Sequence, residues 1–227
     1  MQSEGAKLLA PTGVLHAAIN TGNRALVRRD GAHFKGISPA LATRLAQELG
    51  MPLQHVVYEG AGKVFVDAGR DKWDVAFLAI DEARAQQITF TRPYKVIEAT
   101  YAVRTASSFT HCSDLDREGQ RVLTAKGSAY DLFLTKNLRL AKLIRSGTPM
   151  QSFEEFASGN YDAVAGVRAS LEAAFTDRRE IRILPDALTS VRQAMALPNP
   201  EDPRISALDA FVERAMTDGF VKRQSTP

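Results

Sequence analysis

Apolar positions along the chain follow two rhythms. The run Val75 to Ile80 is continuously apolar, and a strand that is apolar on both faces must be covered on both faces, as a parallel strand between helix layers is. Val14 to Ile19 and Leu53 to Tyr58 read as two further strands. Between them Leu41, Leu45 and Leu49 recur at i+4 spacing, with Ser38 placed as an N-cap, Pro39 as the first helical residue, and Gly50 and Pro52 as the stop. A short helix over Lys63 to Ala68 completes an alternation of strand and helix that predicts βαβ units.

The order repeats after residue 120. Strands are predicted at Arg121 to Thr124, Lys142 to Ile144 and Ala163 to Val167, and helices at Ser128 to Leu138 and Pro149 to Ser158. Ile97 to Val103 is a β-rich run between the two units, and Val191 to Leu197 is another that follows the second. Pro203 to Asp218 carries Leu208, Phe211, Val212, Ala215 and Met216 on one helical stripe closed by Gly219. The terminal strand and helix need a sheet to join. Their return to the first unit predicts an α/β chain of two lobes, residues 1–102 plus 192–227 and residues 103–191, joined by two crossing strands that act as a hinge.

Composition narrows the classes. With 44% hydrophobic and 24% charged residues in 227, the chain is expected to fold and to bury a core. The net charge is +3 and the basic residues are interleaved with acidic ones, so no nucleic-acid footprint is expected. No run approaches the roughly 18 apolar residues of a membrane span. Leu8-Leu9-Ala10-Pro11 is too short for the apolar core of a secretion signal, so no signal peptide is expected in this chain. Cys112 is the single cysteine, and His16, His33, His55 and His111 lack partners at metal-ligand spacing. Neither a Gly-x-Ser-x-Gly elbow nor a cooperating pair of acids is present, since the neighbours Glu154 and Glu155 face different directions on a helix. A protein without cofactor, metal or catalytic residues is therefore expected.

In open α/β sheets ligands bind beyond the carboxyl ends of the strands, which selects four segments. In the first unit they are Asn20, Thr21 and Asn23 with Arg24, and Ala79, Ile80 and Arg84. In the second they are Lys126, Gly127, Ser128, Ala129 and Tyr130, and Val167 with Arg168. Arg84 leaves two readings open: an exposed arginine at the head of a helical turn, or a guanidinium fork aimed at a carboxylate. Gly127 allows close approach of backbone to a ligand, and Ser128 can cap the next helix so that its free N–H groups face an anion, although an ordinary strand-to-helix turn has the same residues.

Taken together, Phe34-x-Gly36, Lys72-Trp-Asp-Val75, the run from Arg84 through Ile88, Phe90, Thr91 and Pro93 to Tyr94, the Lys126-Gly-Ser128 turn and Asn160-Tyr-Asp-Ala-Val164 resemble the bacterial extracellular solute-binding proteins of family 3, the polar amino-acid type. The resemblance spans about Gly13 to Phe220. It implies the type II periplasmic-binding-protein fold, a cleft closing on a small carboxylate or amino-acid-like solute, a permease of an ABC importer as partner, a monomer, and the periplasm. It also implies that Arg84 pairs with the ligand's carboxylate, with 21–24 and 127–130 supplying further contacts. The sequence departs from the family where a threonine usually helps to hold the carboxylate, since Ala79 or Ile80 stands there. It departs again where an acid usually meets the ligand's ammonium, since Val167 stands there beside Arg168. An ammonium buried without a counter-charge is costly, so the expected ligand is a small carboxylate that lacks the ammonium or carries a second anionic group, with Arg168 assisting Arg84. An enzyme similar to cyclohexadienyl or arogenate dehydratases, with Glu98 or Glu172 as its acid, is the alternative.

Overall fold

A computed structural model describes residues 8–224; the first seven and last three residues of the expected first lobe lie outside them. Five strands precede the crossover: β1 (Leu15–Asn20), β2 (Arg28–Asp30), β3 (His33–Lys35), β4 (Leu53–Tyr58) and β5 (Val75–Ala79). With them lie the helices α1 (Ile37–Leu49), α2 (Ala61–Val66) and α3 (Glu82–Ala85). The long β6 (Thr89–Arg104) leads to β7 (Arg121–Ala125), α4 (Ala129–Asn137), β8 (Lys142–Ser146), α5 (Pro149–Ser158), β9 (Ala163–Val167), α6 (Arg168–Phe175) and β10 (Ile181–Ile183). The chain returns along β11 (Thr189–Leu197) and ends in α7 (Ile205–Thr217) and α8 (Phe220–Arg223).

Nine of these strands form one sheet, in the order β4-β1-β5-β11-β6-β9-β7-β8, with β10 beside β6. β1 runs parallel to β4 and β5, and β7 runs parallel to β8 and β9. The antiparallel pair β6 and β11 joins the two parallel sets. Cores follow the same division. Val75 and Phe77 pack with α1, Met195, Leu197 and α7, whereas Val122, Ala163 and Ala165 pack with Tyr130 and Leu134 of α4. The fold is thus α/β and two-lobed.

Local chemistry accounts for where the elements begin. Ser38 was expected to cap α1, but the N-cap is Gly36, and Ser38 and Pro39 lie inside the first turn without a side-chain cap bond. Gly36 has φ 114°, and a Cβ there would come within 2.3 Å of the Leu26 carbonyl oxygen, so only glycine permits the earlier start. Gly50 ends the same helix in the left-handed conformation, as expected. Ser128 does cap α4, accepting from the Asp131 N–H, and Thr148 caps α5 with Pro149 at its start. Of the stripe on α7, Leu208, Phe211, Val212 and Ala215 are buried, while Met216 is 41% exposed because it falls just outside the arc that meets β6 and β11.

Candidate functional site

The carboxyl-terminal residues of four parallel strands meet around one cavity: Asn20 of β1, Ala79 of β5, Ala125 of β7 and Val167 of β9. Three helices open onto it as well, through Ser38 of α1, Ser128 and Ala129 of α4, and Pro149 of α5. Each helix brings the positive end of its dipole, an arrangement that favours an anion. Leu26, Val27, Phe77 and Val191 supply apolar wall. The cavity volume is about 40 Å³, which leaves room for only a few atoms beyond the wall.

Arg84 is positioned by Asp81, whose carboxylate accepts from the Ala83 and Arg84 N–H groups and so nucleates the single turn α3. The side chain is 2% exposed. Its guanidinium donates to the Ala79 carbonyl at 2.9 Å within its own lobe and to the Gly127 carbonyl at 2.7 Å across the cleft. Burial lowers its pKa to about 10, against a smaller opposing pull from Asp81. At neutral pH the group therefore remains a cation. Among the described residues its remaining N–H groups make no hydrogen bond and no carboxylate pairs with it. Lys126, exposed at the rim, adds a second positive charge. Among the described residues that line the cavity there is no Asp, Glu or His.

Nine of the fourteen expected positions line this cavity: Asn20, Asn23, Ala79, Arg84, Lys126, Ser128, Ala129, Tyr130 and Val167. The other five lie elsewhere. Thr21 donates its hydroxyl to the Tyr58 carbonyl, and with Arg24 it borders a separate groove near Ser170 and Met150. Ile80 lies past the end of β5, where its N–H pairs with Arg192. Gly127 gives its carbonyl to Arg84 and faces the outer side of the cleft with Phe65 and Leu132. The largest correction concerns Arg168. It donates to Glu98 and to the carbonyls of Leu184, Pro185 and Asp186, all at 3.0 Å, so its fork is spent holding the return loop before β11. Glu98, its exposed partner, and the exposed Glu172 do not border the cavity.

Sequence reasoning passed over Ser38 and Gln193. Gln193 is the one polar residue between Val191 and Leu197 other than Arg192 and is 4% exposed; a buried amide in an apolar strand is itself a signal. Ser38 was assigned to a cap, which concealed its hydroxyl.

The sequence model of the bacterial extracellular solute-binding proteins, family 3, matches residues 18–225. The chain belongs to that family. No curated protein sequence matches this family member. Among solved structures it is similar to a mutant of ArgBP from T. maritima, at 20% identity and a TM-score of 0.82 over 97% of this chain and 96% of that one. It is likewise similar to the cysteine-binding protein from Campylobacter jejuni, at 21% identity and 0.83 over 96% and 90%. A third likeness is to the ancestral amino acid-binding protein AncCDT-1, a precursor of cyclohexadienyl dehydratase, at 19% and 0.80 over 96% of each chain. At these identities the likeness is one of fold, the type II periplasmic-binding-protein fold. Among the described residues no helix is long and apolar enough to cross a membrane.

Proposed function

We propose that this family 3 protein is the receptor of an ABC importer and that its interlobe cavity closes on a small carboxylate held by Arg84. The observation that carries this reading is the buried guanidinium, charged at neutral pH and matched by two carbonyl oxygens but by no acid. A carboxylate would accept from its unused N–H groups in a desolvated setting, where such pairs are strongest. The converging ends of α1, α4 and α5 add to the attraction. Val167 in the wall, with no acid among the described lining residues, favours an anion without an α-ammonium, although the structural neighbours include amino-acid binders.

In this reading the lobes are residues 1–102 plus 192–227 and 103–191, and β6 and β11 are the hinge strands. The receptor works as a monomer in the periplasm and delivers its solute to a permease. Binding rather than turnover is favoured because no Asp, Glu or His is among the described residues that border the cavity, and Glu98 is engaged by Arg168. A catalytic reading on the same fold draws on the likeness to AncCDT-1, and turnover of prephenate would establish it.

Thermal unfolding against a panel of carboxylates and α-amino acids tests the proposal. A ligand at 100 times its dissociation constant adds about 2.7 kcal/mol. Carboxylates free of ammonium are expected to raise the midpoint, and Arg84→Ala to abolish the rise. Stabilisation by ordinary α-amino acids alone would refute the ligand class.

A further inference from the structure

Strand β11 brings one polar side chain to the cavity. Residues two apart on a strand share a face, and Val191 and Gln193 both line the cavity while Arg192 between them is exposed. Gln193 stands opposite Ala79 of β5, the residue whose carbonyl accepts from Arg84. On its other side the pairing of β11 with β6 shifts register between Gln193 and Ala194. Such irregularities re-aim a side chain and are frequent beside binding sites.

Gln193 is 4% exposed. Among the described residues its side-chain amide has no hydrogen-bond partner. It differs in this from the hydroxyls of Ser38 and Tyr130, which are sealed off by protein, because its amide atoms keep some accessible surface. In so deeply buried a residue that surface opens on the cavity it lines. Buried polar groups are almost always paired, and an apolar residue would fill the interior of a strand at lower cost. The amide is therefore placed for a partner that enters the cavity, not for the protein's own packing.

Its chemistry suits an anion. An amide offers two N–H donors and a carbonyl oxygen but no charge, so it can donate to a carboxylate oxygen and leave Arg84 as the one buried charge among the described lining residues. A carboxyl side chain of the same shape would compete with an anionic ligand and would supply the acid that an α-ammonium needs. Resting on the reading that Arg84 takes a carboxylate, we propose that Gln193 is a specificity-determining residue of the same site: it hydrogen-bonds the bound anion and, being uncharged, keeps the cavity selective for anions.

Calorimetric titration of the full chain with acetate, propionate and succinate tests this, with the unfolding midpoint of the free protein measured alongside. Gln193→Met keeps the length of the side chain and removes the amide. It is expected to weaken the tightest-binding of the three acids about tenfold, the worth of one neutral hydrogen bond. It should leave the free protein's midpoint unchanged or higher, since no hydrogen bond within the protein is lost. Gln193→Glu keeps the shape and adds a negative charge, and is expected to weaken the same acid by about 100-fold or more, because like charges brought together out of water repel strongly. Binding that Arg84→Ala abolishes but both Gln193 variants leave unchanged would overturn the role of Gln193 and leave the carboxylate reading standing. A clear loss of stability in the free Gln193→Met protein would also overturn it, by giving the amide a partner within the fold. Binding of none of the three acids by the unmodified protein would overturn both.

Discussion

A guanidinium that is 2% exposed and bonded only to two carbonyl oxygens bears its desolvation cost until an anion arrives. Arg84→Ala is accordingly expected to weaken carboxylate binding by about 2–5 kcal/mol. Arg84→Lys, which keeps the charge but loses the planar fork, should fall between that variant and the unmodified protein. Titration calorimetry orders the three, and a lysine variant equal to the native protein would remove the fork from the argument. Arg84 was legible as a candidate because it stands four residues past an apolar strand. Whether it was buried was not, since its second acceptor, Gly127, lies 43 residues away in sequence. Arg168 shows the same limit. Its carbonyl partners at 184–186 belong to a loop whose path only the tertiary fold decides.

Elements were more legible than contacts wherever a start or stop residue acted locally. Helix α5 and strand β9 have the expected bounds because Thr148-Pro149 and Gly159 punctuate them. The ribbon β2–β3 was missed although Gly31-Ala32 between Asp30 and His33 has the glycine-first form of a two-residue hairpin turn, its flanking residues being too polar to announce strands. Strand β6 begins well before the expected Ile97, with Pro93 inside it, because the pairing with β11 shifts register beside Pro93, where a missing N–H is tolerated. Helix α7 owes its start to Asp202, which is 4% exposed and accepts from the N–H and guanidinium of Arg204. That pairing lowers the Asp202 pKa, so its stabilisation is complete above the ordinary carboxylate value and is lost as pH falls below it. Asp202→Asn should lower stability at pH 7 by about 1.5–3 kcal/mol. In denaturant titrations the gap from the native protein should shrink as pH drops below about 4; a constant gap would mean that the effect is not ionic.

At the scale of the whole molecule, the lobes meet through small residues. A Cβ on Gly62 would come within 2.6 Å of the Lys126 carbonyl oxygen, and one on Gly127 within 2.9 Å of Gly62 Cα. Nearby, Ser170 Oγ accepts from the Arg24 N–H and donates to the Gly22 carbonyl, both at 3.1 Å. Gly62→Ala should therefore hold the lobes apart while slightly favouring α2, where alanine is the better helix former by roughly 0.5–1 kcal/mol. The expected result is weaker ligand binding and a larger radius of gyration by small-angle scattering at saturating ligand, without loss of thermal stability. Unchanged affinity would show that this contact does not limit closure. The two-lobed layout itself followed from counting strand and helix alternations. The apposition of Gly62 and Gly127 did not, because neither glycine marks its partner in sequence.

The placement of β11 and α7 also sets an order of assembly. Met195, Leu197, Leu208, Phe211, Val212 and Ala215 complete the core that Leu15, Ile19 and Val75 begin, whereas the core containing Leu123, Phe153, Phe156 and Val164 draws on no described residue after Ile183. On a ribosome, where chains emerge from the N-terminus and units fold as they become complete, the middle of this protein can be packed while its first-made strands still wait for the last ones to be synthesised.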